Sequence, residues 1–320
     1  MTATAGPATP VVVVAGPTAS GKSQLALDIA VEFRGTVINA DSMQIYRGLG
    51  VLSAAPDDRA QARVPHRLYG VLDPGEPCSA GRWRTMALAE IEAAAREPRL
   101  PVVVGGTGLY LRALIGGIAR IPPVPAGVRR AVRERLAREG APALHAELAR
   151  RDPETAARLV PQDAQRIARA LEVLEATDRP LSAWIRGGME GARASLRFHV
   201  ILLMPPRDAV YAAIEARFRA MVAAGALDEV RHLAESGLDP ALPAMKALGV
   251  PELMRHLSGD LPLDEAVRCG QLATRRYAKR QMTWFRHQLD ADQVISTQYS
   301  ERLRPEIFSQ ISSFLLTSVP

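Results

Sequence analysis

The chain has 320 residues, 48% of them apolar, and 40 basic against 34 acidic side chains give a formal net charge of +6. With a pI near 9.7 and a mean hydropathy of −0.01, it reads as an ordinary soluble globular protein with room for one large domain or for a core and a smaller lobe. A helical membrane span is excluded, because no apolar run approaches the ~20 residues a bilayer requires. The basic balance favours a polyanionic partner.

The opening residues, "MTATAGPATP", lack the positive region of a secretory signal. Cys78 and Cys269 lie far apart and in no metal-ligand spacing. A reduced, cytoplasmic protein is the expectation. Only Lys22, Lys246 and Lys279 are lysine. So strong an arginine bias is in keeping with a GC-rich genome, and it draws attention to any lysine that remains.

"VVVVA", Val11 to Ala15, is a continuous β-branched run, as expected for a strand buried on both faces. "KSQLALDIAVEF" follows with helical spacing, and Gly35 stops it. "GTVINAD" and "LPVVVGG" predict a second and a third strand, and "RFHVILLMPP", Arg197 to Pro206, a fourth that two prolines end. Strands alternating with helices predict an α/β fold: a P-loop core with a mostly parallel sheet flanked by helices. Between 121 and 196 no strand is expected. "GVRRAVRERLAREG", "APALHAELARR" and "DAQRIARALEVLEATD" predict helices, so 121–196 reads as a small all-helical insertion in a core made of 1–120 and 197–320. Asp208 to about Glu235 reads as one long helix and Leu263 to Gln288 as a final basic one; the last twenty residues carry little signal.

The chemistry starts at Gly16-Pro17-Thr18-Ala19-Ser20-Gly21-Lys22-Ser23, a glycine-rich phosphate loop between a strand and a helix. Backbone N–H groups in such a loop curl round an anion that the helix N-terminus also favours. Lys22 adds a point charge on the terminal phosphate, and the Ser23 hydroxyl is a ligand for Mg²⁺. An ATPase or small-molecule kinase would need an acid at the end of a neighbouring apolar strand, yet "PVVVGGTGLY" ends in Gly105-Gly106-Thr107. The acid stands elsewhere, in "VINADSMQIY". Asp41, at a strand C-terminus, is expected to face the bound phosphates, with a helix cap or turn residue as the alternative. An anion-binding loop and one carboxylate suit nucleophilic displacement better than hydrolysis.

Six segments in register, "GPTASGKS", "NADSMQIYRGL", "VVVGGTGLYLRALIGG", "DAQRIARALEV", "IEARFRAMVAAGALDEV" and "ATRRYAKRQMTWFR", together resemble the tRNA dimethylallyltransferase (IPP transferase) family from about Val11 to Arg286. The resemblance implies transfer of a dimethylallyl group from dimethylallyl diphosphate to the exocyclic amine of the adenosine 3′ of the anticodon. The nucleotide-binding, ATP-type loop would then hold a leaving group and need not bind ATP. It implies catalytic roles for Asp41 as the base on the amine, Lys22 and Arg217 on the diphosphate, and Thr107 beside the nucleotide, with Mg²⁺ on Ser23. Arg217 taken alone reads as a solvated helix residue, and Thr107 alone as turn chemistry.

The family flips the target base, which implies Asp41, Ser42, Met43 and Gln44 around it. On the RNA side it implies Gln165, Arg166, Ile167, Ala168 and Arg169 of the insertion, and Lys279, Arg280, Gln281, Trp284 and Arg286 of the basic helix. From Val267 to Leu289 that helix has six Arg or Lys and no Asp or Glu, which favours phosphate contact. The expected partners are thus a tRNA anticodon stem-loop and dimethylallyl diphosphate, acting on a monomer without a membrane. Two segments depart from the family: "VLSAAP" replaces a Gly-Thr-Ala-Lys-Pro-like run, with Ala55 where a lysine is usual, and "MKALGVPEL" keeps Lys246 and Gly249 but lacks a Tyr-Arg pair. The rival readings are a kinase on the same fold, a prenyltransferase acting on free adenine nucleotides, and a binding-only RNA module.

Overall fold

In the computed structural model, residues 8–190 and 195–317 are described. β1 (Thr9–Ala15) feeds the phosphate loop and α1 (Lys22–Glu32); β2 (Gly35–Asn39) leads through the short α2 (Gly50–Ser53) and α3 (Asp58–Arg63) to β3 (His66–Arg67). Next come α4 (Ala80–Arg96), β4 (Leu100–Gly105), α5 (Gly108–Ile115) and β5 (Ile118–Ala119). Five helices follow: α6 (Ala126–Glu139), α7 (Ala141–Arg151), α8 (Pro153–Ala156), α9 (Ala164–Thr177) and α10 (Leu181–Arg186). After β6 (Met189–Glu190) and β7 (Leu196–Leu203) the chain continues through α11 (Arg207–Met221), α12 (Leu227–Glu235), α13 (Val250–Leu257) and α14 (Leu263–Gln288). It closes with β8 (Gln293–Ile295) and α15 (Arg304–Leu316).

Six strands form one sheet in the order β3-β2-β4-β1-β7-β8, and every pairing in it is parallel. The central β1 lies between β4 and β7, with Val13 opposite Val103 and Val200. Val11 to Ala15 are fully buried, which is why this strand is β-branched throughout and not alternating. Because all strands run one way, the segments after β1, β2 and β4 emerge on the same edge. The phosphate loop, Asp41 and Gly105-Gly106-Thr107 therefore share one crevice.

The described residues divide into two compact units, Met1–Ile115 with Ala192–Pro320, and Gly116–Gly191. In the second, α6, α7 and α9 enclose a core of Val132, Leu144, Leu148, Ile167 and Leu171. It is not purely helical: β5 pairs antiparallel with β6, of which β6 falls in the stretch where no strand is expected, and two-residue strands carry no periodicity to read. That ribbon ties the ends of the insertion together, and its borders fall at 116 and 191 instead of 121 and 196.

The helix expected from Asp208 to Glu235 is also interrupted. α11 ends at Met221, and a π-helical turn, Val222–Ala226, carries Gly225 at φ 102° before α12 begins. Glycine enters that region without a Cβ penalty. The break sends α12 in a new direction, where the Glu229 carboxylate accepts the Val51 and Leu52 amides at 2.7 and 2.9 Å and caps α2.

Candidate active site

The phosphate loop turns on two left-handed residues, Ala19 at φ 62° and Gly21 at φ 88°. The Lys22 ammonium donates to the Pro17 carbonyl at 3.2 Å and closes the loop on itself. Burial pushes Lys22 down from 10.5 to about 8, against the pull of Asp41 and with the help of the nearby Arg217 charge. Burial likewise lowers Arg217 while Asp41 opposes the shift. Two cations and one carboxylate therefore stand within mutual electrostatic range, and the cations are held in a state that an incoming polyanion would relieve. Arg217, from α11, donates to the Thr18 hydroxyl.

The Asp41 turn is held by a buried asparagine. Asn39, at the end of β2, is fully buried; its Oδ1 accepts the Asp41 amide at 2.7 Å, and its Nδ2 donates to the Asp41 and Leu68 carbonyls at 3.0 and 2.9 Å. The indole of Trp83, stacked on Tyr110 at 4.6 Å, donates to the Asn39 carbonyl at 2.8 Å. Asp41 Oδ1 accepts the Met43 amide at 2.9 Å, which leaves Oδ2 without a partner among the described residues. One carboxylate oxygen fixes the turn and the other is available for chemistry.

Thr107 joins this turn to the end of β4. Its hydroxyl accepts the Ser42 amide at 2.9 Å and lies 3.3 Å from the Ser42 hydroxyl. Gly105 and Gly106 are glycines for want of room: a Cβ on Gly105 would lie 2.1 Å from the Ala40 carbonyl oxygen, and one on Gly106 2.3 Å from Gln281 Nε2. A carboxylate at the end of this strand has no space, so the missing metal-binding acid of a kinase is built into the packing.

Between these elements lies a cavity of about 260 Å³. Thr18, Asp41, Ser42, Arg217 and Arg280 give it a polar side; Leu49, Leu52, Ile214, Phe218 and Met221 give it an apolar one. Ile214, Arg217, Phe218 and Met221 stand at helical spacing on one face of α11, so a single face supplies both an anion contact and an apolar wall. Tyr277 and Lys246 line the cavity too. Sequence reasoning missed both as site residues, although Lys246 is one of only three lysines and Tyr277 sits inside the basic helix.

Most of the expected site residues meet here. Lys22, Ser23 and the rest of the loop's second half line an adjoining groove with Arg217. Gln44 does not face the cavity: its Nε2 donates to the Ser53 and Ala54 carbonyls, both at 2.9 Å. It holds the altered "VLSAAP" segment in place, together with Glu229. Gln281, expected on the RNA, is buried instead. Its Oε1 accepts the Thr18 amide at 2.9 Å and its Nε2 donates to the Gly106 carbonyl at 2.8 Å. Trp284 packs its ring over Gly108. Lys279, Arg280 and Arg286 are exposed along α14.

In the helical unit Gln165, Arg166 and Arg169 are exposed on α9, with Arg166 paired to Asp163 at 3.5 Å and Arg169 to Glu172 at 3.6 Å. Ile167 and Ala168 are buried in the unit's core. Helical spacing turns them inward while their neighbours face out, so their side chains offer nothing to an RNA.

A parallel sheet whose phosphate loop faces a half-apolar cavity, with a carboxylate after β2 and no acid after β4, suits a P-loop transferase better than an NTP-hydrolysing enzyme. The IPP transferase family model matches residues 44–288. The chain is 60% identical over 286 residues to the tRNA dimethylallyltransferase of Rhodospirillum centenum, covering 89% of this chain and 91% of that one. Its structure resembles the tRNA isopentenylpyrophosphate transferase of Bacillus halodurans, with a TM-score of 0.68 at 32% identity over 96% of both chains. It also resembles a eukaryotic dimethylallyltransferase captured acting on tRNA, with a TM-score of 0.79 at 26% identity, covering 95% of this chain and 80% of that one. The chain belongs to the IPP transferase family.

Proposed function

We propose that this protein transfers the dimethylallyl group of dimethylallyl diphosphate to the exocyclic amine of the adenosine immediately 3′ of the anticodon in tRNA, releasing diphosphate. The observation that carries the reading is the cavity where Asp41 and Arg217 meet beside an apolar wall, with Lys22 in the adjoining groove and within electrostatic range of both. The apolar side suits a short prenyl chain, and the loop suits its diphosphate.

In the transfer, the allylic carbon–oxygen bond breaks and its electron pair leaves with the diphosphate. The adenine nitrogen forms the new carbon–nitrogen bond and gives up a proton. Lys22, Arg217 and the loop amides stabilise the negative charge that develops on the leaving group. The free Oδ2 of Asp41 orients the weakly basic amine and takes its proton. Thr107 holds the Asp41 turn through Ser42. Among the described residues no group of three or more His, Cys, Asp or Glu side chains could cage a metal. The exposed Ser23 hydroxyl fits a Mg²⁺ that draws its other ligands from diphosphate oxygens and water. When bound, that ion supplies further charge stabilisation to the leaving group.

The exposed cations of α14 and of α9 suit an RNA acceptor. Action as a monomer belongs to this reading, and a tRNA substrate supports a cytoplasmic location. No helix among the described residues is long and apolar enough to cross a membrane. The test supplies radiolabelled dimethylallyl diphosphate with an unmodified anticodon stem-loop whose anticodon is followed by adenine, with AMP and ATP in parallel. Label is expected in the RNA without loss of ATP. Label on AMP alone would move the protein to the free-nucleotide prenyltransferases, and ATP loss without transfer would make it a kinase-like enzyme.

A further inference from the structure

Beyond residue 288, where the family match ends, the chain leaves α14 and returns to the phosphate loop. Gln298 lines the loop's groove beside Lys22, Ser23 and Arg217. Its Nε2 donates to the Ala19 carbonyl at 2.9 Å. Tyr299 packs against the loop so closely that a Cβ on Gly21 would lie 2.9 Å from its own Cβ. The strap is anchored behind the loop at Asp28 of α1, a carboxylate only 4% exposed. Asp28 accepts from the Tyr299 hydroxyl at 2.7 Å, from Arg304 at 2.9 Å and from Gln24 at 3.0 Å.

Ala19 needs such a partner. It sits at φ 62°, a region that L-residues other than glycine enter only at a cost and keep only when the surroundings hold them there. We propose that Gln298 is a positioning residue for the leaving group: by holding the carbonyl of the left-handed Ala19 it fixes the shape of the phosphate loop, with Tyr299 and Asp28 holding the strap to α1. This rests on the reading of the loop as a diphosphate site.

The test measures binding of inorganic pyrophosphate with Mg²⁺ by titration calorimetry, alongside the transfer assay, on Gln298→Ala and the near-isosteric Gln298→Met. Both remove the donor and leave Tyr299 and Asp28 in place. Loss of a single neutral hydrogen bond predicts affinity weakened about five- to tenfold. The KM for dimethylallyl diphosphate should rise to match, while the KM for the stem-loop stays within about twofold. Tyr299→Phe, which keeps the Cβ against Gly21 and loses the hydroxyl anchor on Asp28, should weaken pyrophosphate binding in the same direction. Pyrophosphate affinity within about twofold of wild type in both Gln298 variants overturns the proposal, as does an equal rise in both KM values, which would indicate general loosening. A wild-type protein that binds pyrophosphate but transfers no prenyl group sinks the proposed activity alone, since the binding comparison still decides the role of Gln298.

Discussion

Gln281 and Thr18 lie 263 residues apart in the chain and 2.9 Å apart in the structure, joined by a hydrogen bond from the Thr18 amide to the Gln281 carboxamide oxygen. The other end of that carboxamide donates to the Gly106 carbonyl at 2.8 Å. A residue of the basic helix thereby spans from the phosphate loop to the end of β4.

Replacing it tests that bridge. Gln281→Leu keeps the volume but leaves the half-buried Thr18 N–H and the buried Gly106 carbonyl without partners, each costing up to about 1–3 kcal/mol. Urea unfolding should show a loss of about 2–4 kcal/mol. Were Gln281 an RNA contact instead, stability would hold and only the stem-loop KM would move.

Lys22 sets a pH dependence. Its ammonium is pushed down to about 8 in the free protein, so it is charged below that pH and neutral above, and only the charged form attracts the diphosphate. The kcat/KM for the donor should be flat below about 8 and fall by up to tenfold per pH unit above it. Bound diphosphate raises the lysine again, so kcat should decline only at higher pH. Lys22→Arg should lose activity overall but show no decline near 8, because a guanidinium stays charged.

Thr107 acts on Asp41 at one remove. Thr107→Val removes the acceptor of the Ser42 amide while preserving shape. Turnover should fall about tenfold, in line with one buried hydrogen bond of about 1 kcal/mol or slightly more, and Thr107→Ser should restore most of it. Steady-state kcat with both substrates saturating is the measurement.

The exposed cations of α14 predict salt dependence. Among the described residues neither Lys279 nor Arg286 has an ion-pair partner, whereas Arg275 is paired with Glu215 at 2.9 Å. Lys279→Ala and Arg286→Ala should each flatten the dependence of log affinity for the stem-loop on log salt by about 0.7–0.9, the share of one phosphate contact. An unchanged slope in both would move the RNA off this helix.

The features legible in the sequence are those with a strong local signature. Val11–Ala15 reads as a strand buried on both faces, the glycine-rich loop announces itself, and Asp41 follows a strand end. α14 runs from Leu263 to Gln288, as expected of the final basic helix. What escaped detection lacks local pattern. β3, β5, β6 and β8 have two or three residues each, too few for alternation. The break at Gly225 lies in an alanine-rich run whose helical spacing continues on both sides. Gln281 looks like its basic neighbours until the fold turns it inward. The hold of Asn39 and Trp83 on the Asp41 turn is made by tertiary contact alone, 44 residues apart.

The proposed reaction divides its labour: the loop holds the leaving group and Asp41 takes the amine proton. Asp41→Ala tests it most directly, read by pyrophosphate affinity and by turnover of labelled dimethylallyl diphosphate on the stem-loop in the same preparation. Affinity is expected close to wild type and turnover lower by about 10²–10⁴. Turnover within a few-fold of wild type would contradict it, because the amine's proton would then leave by another route.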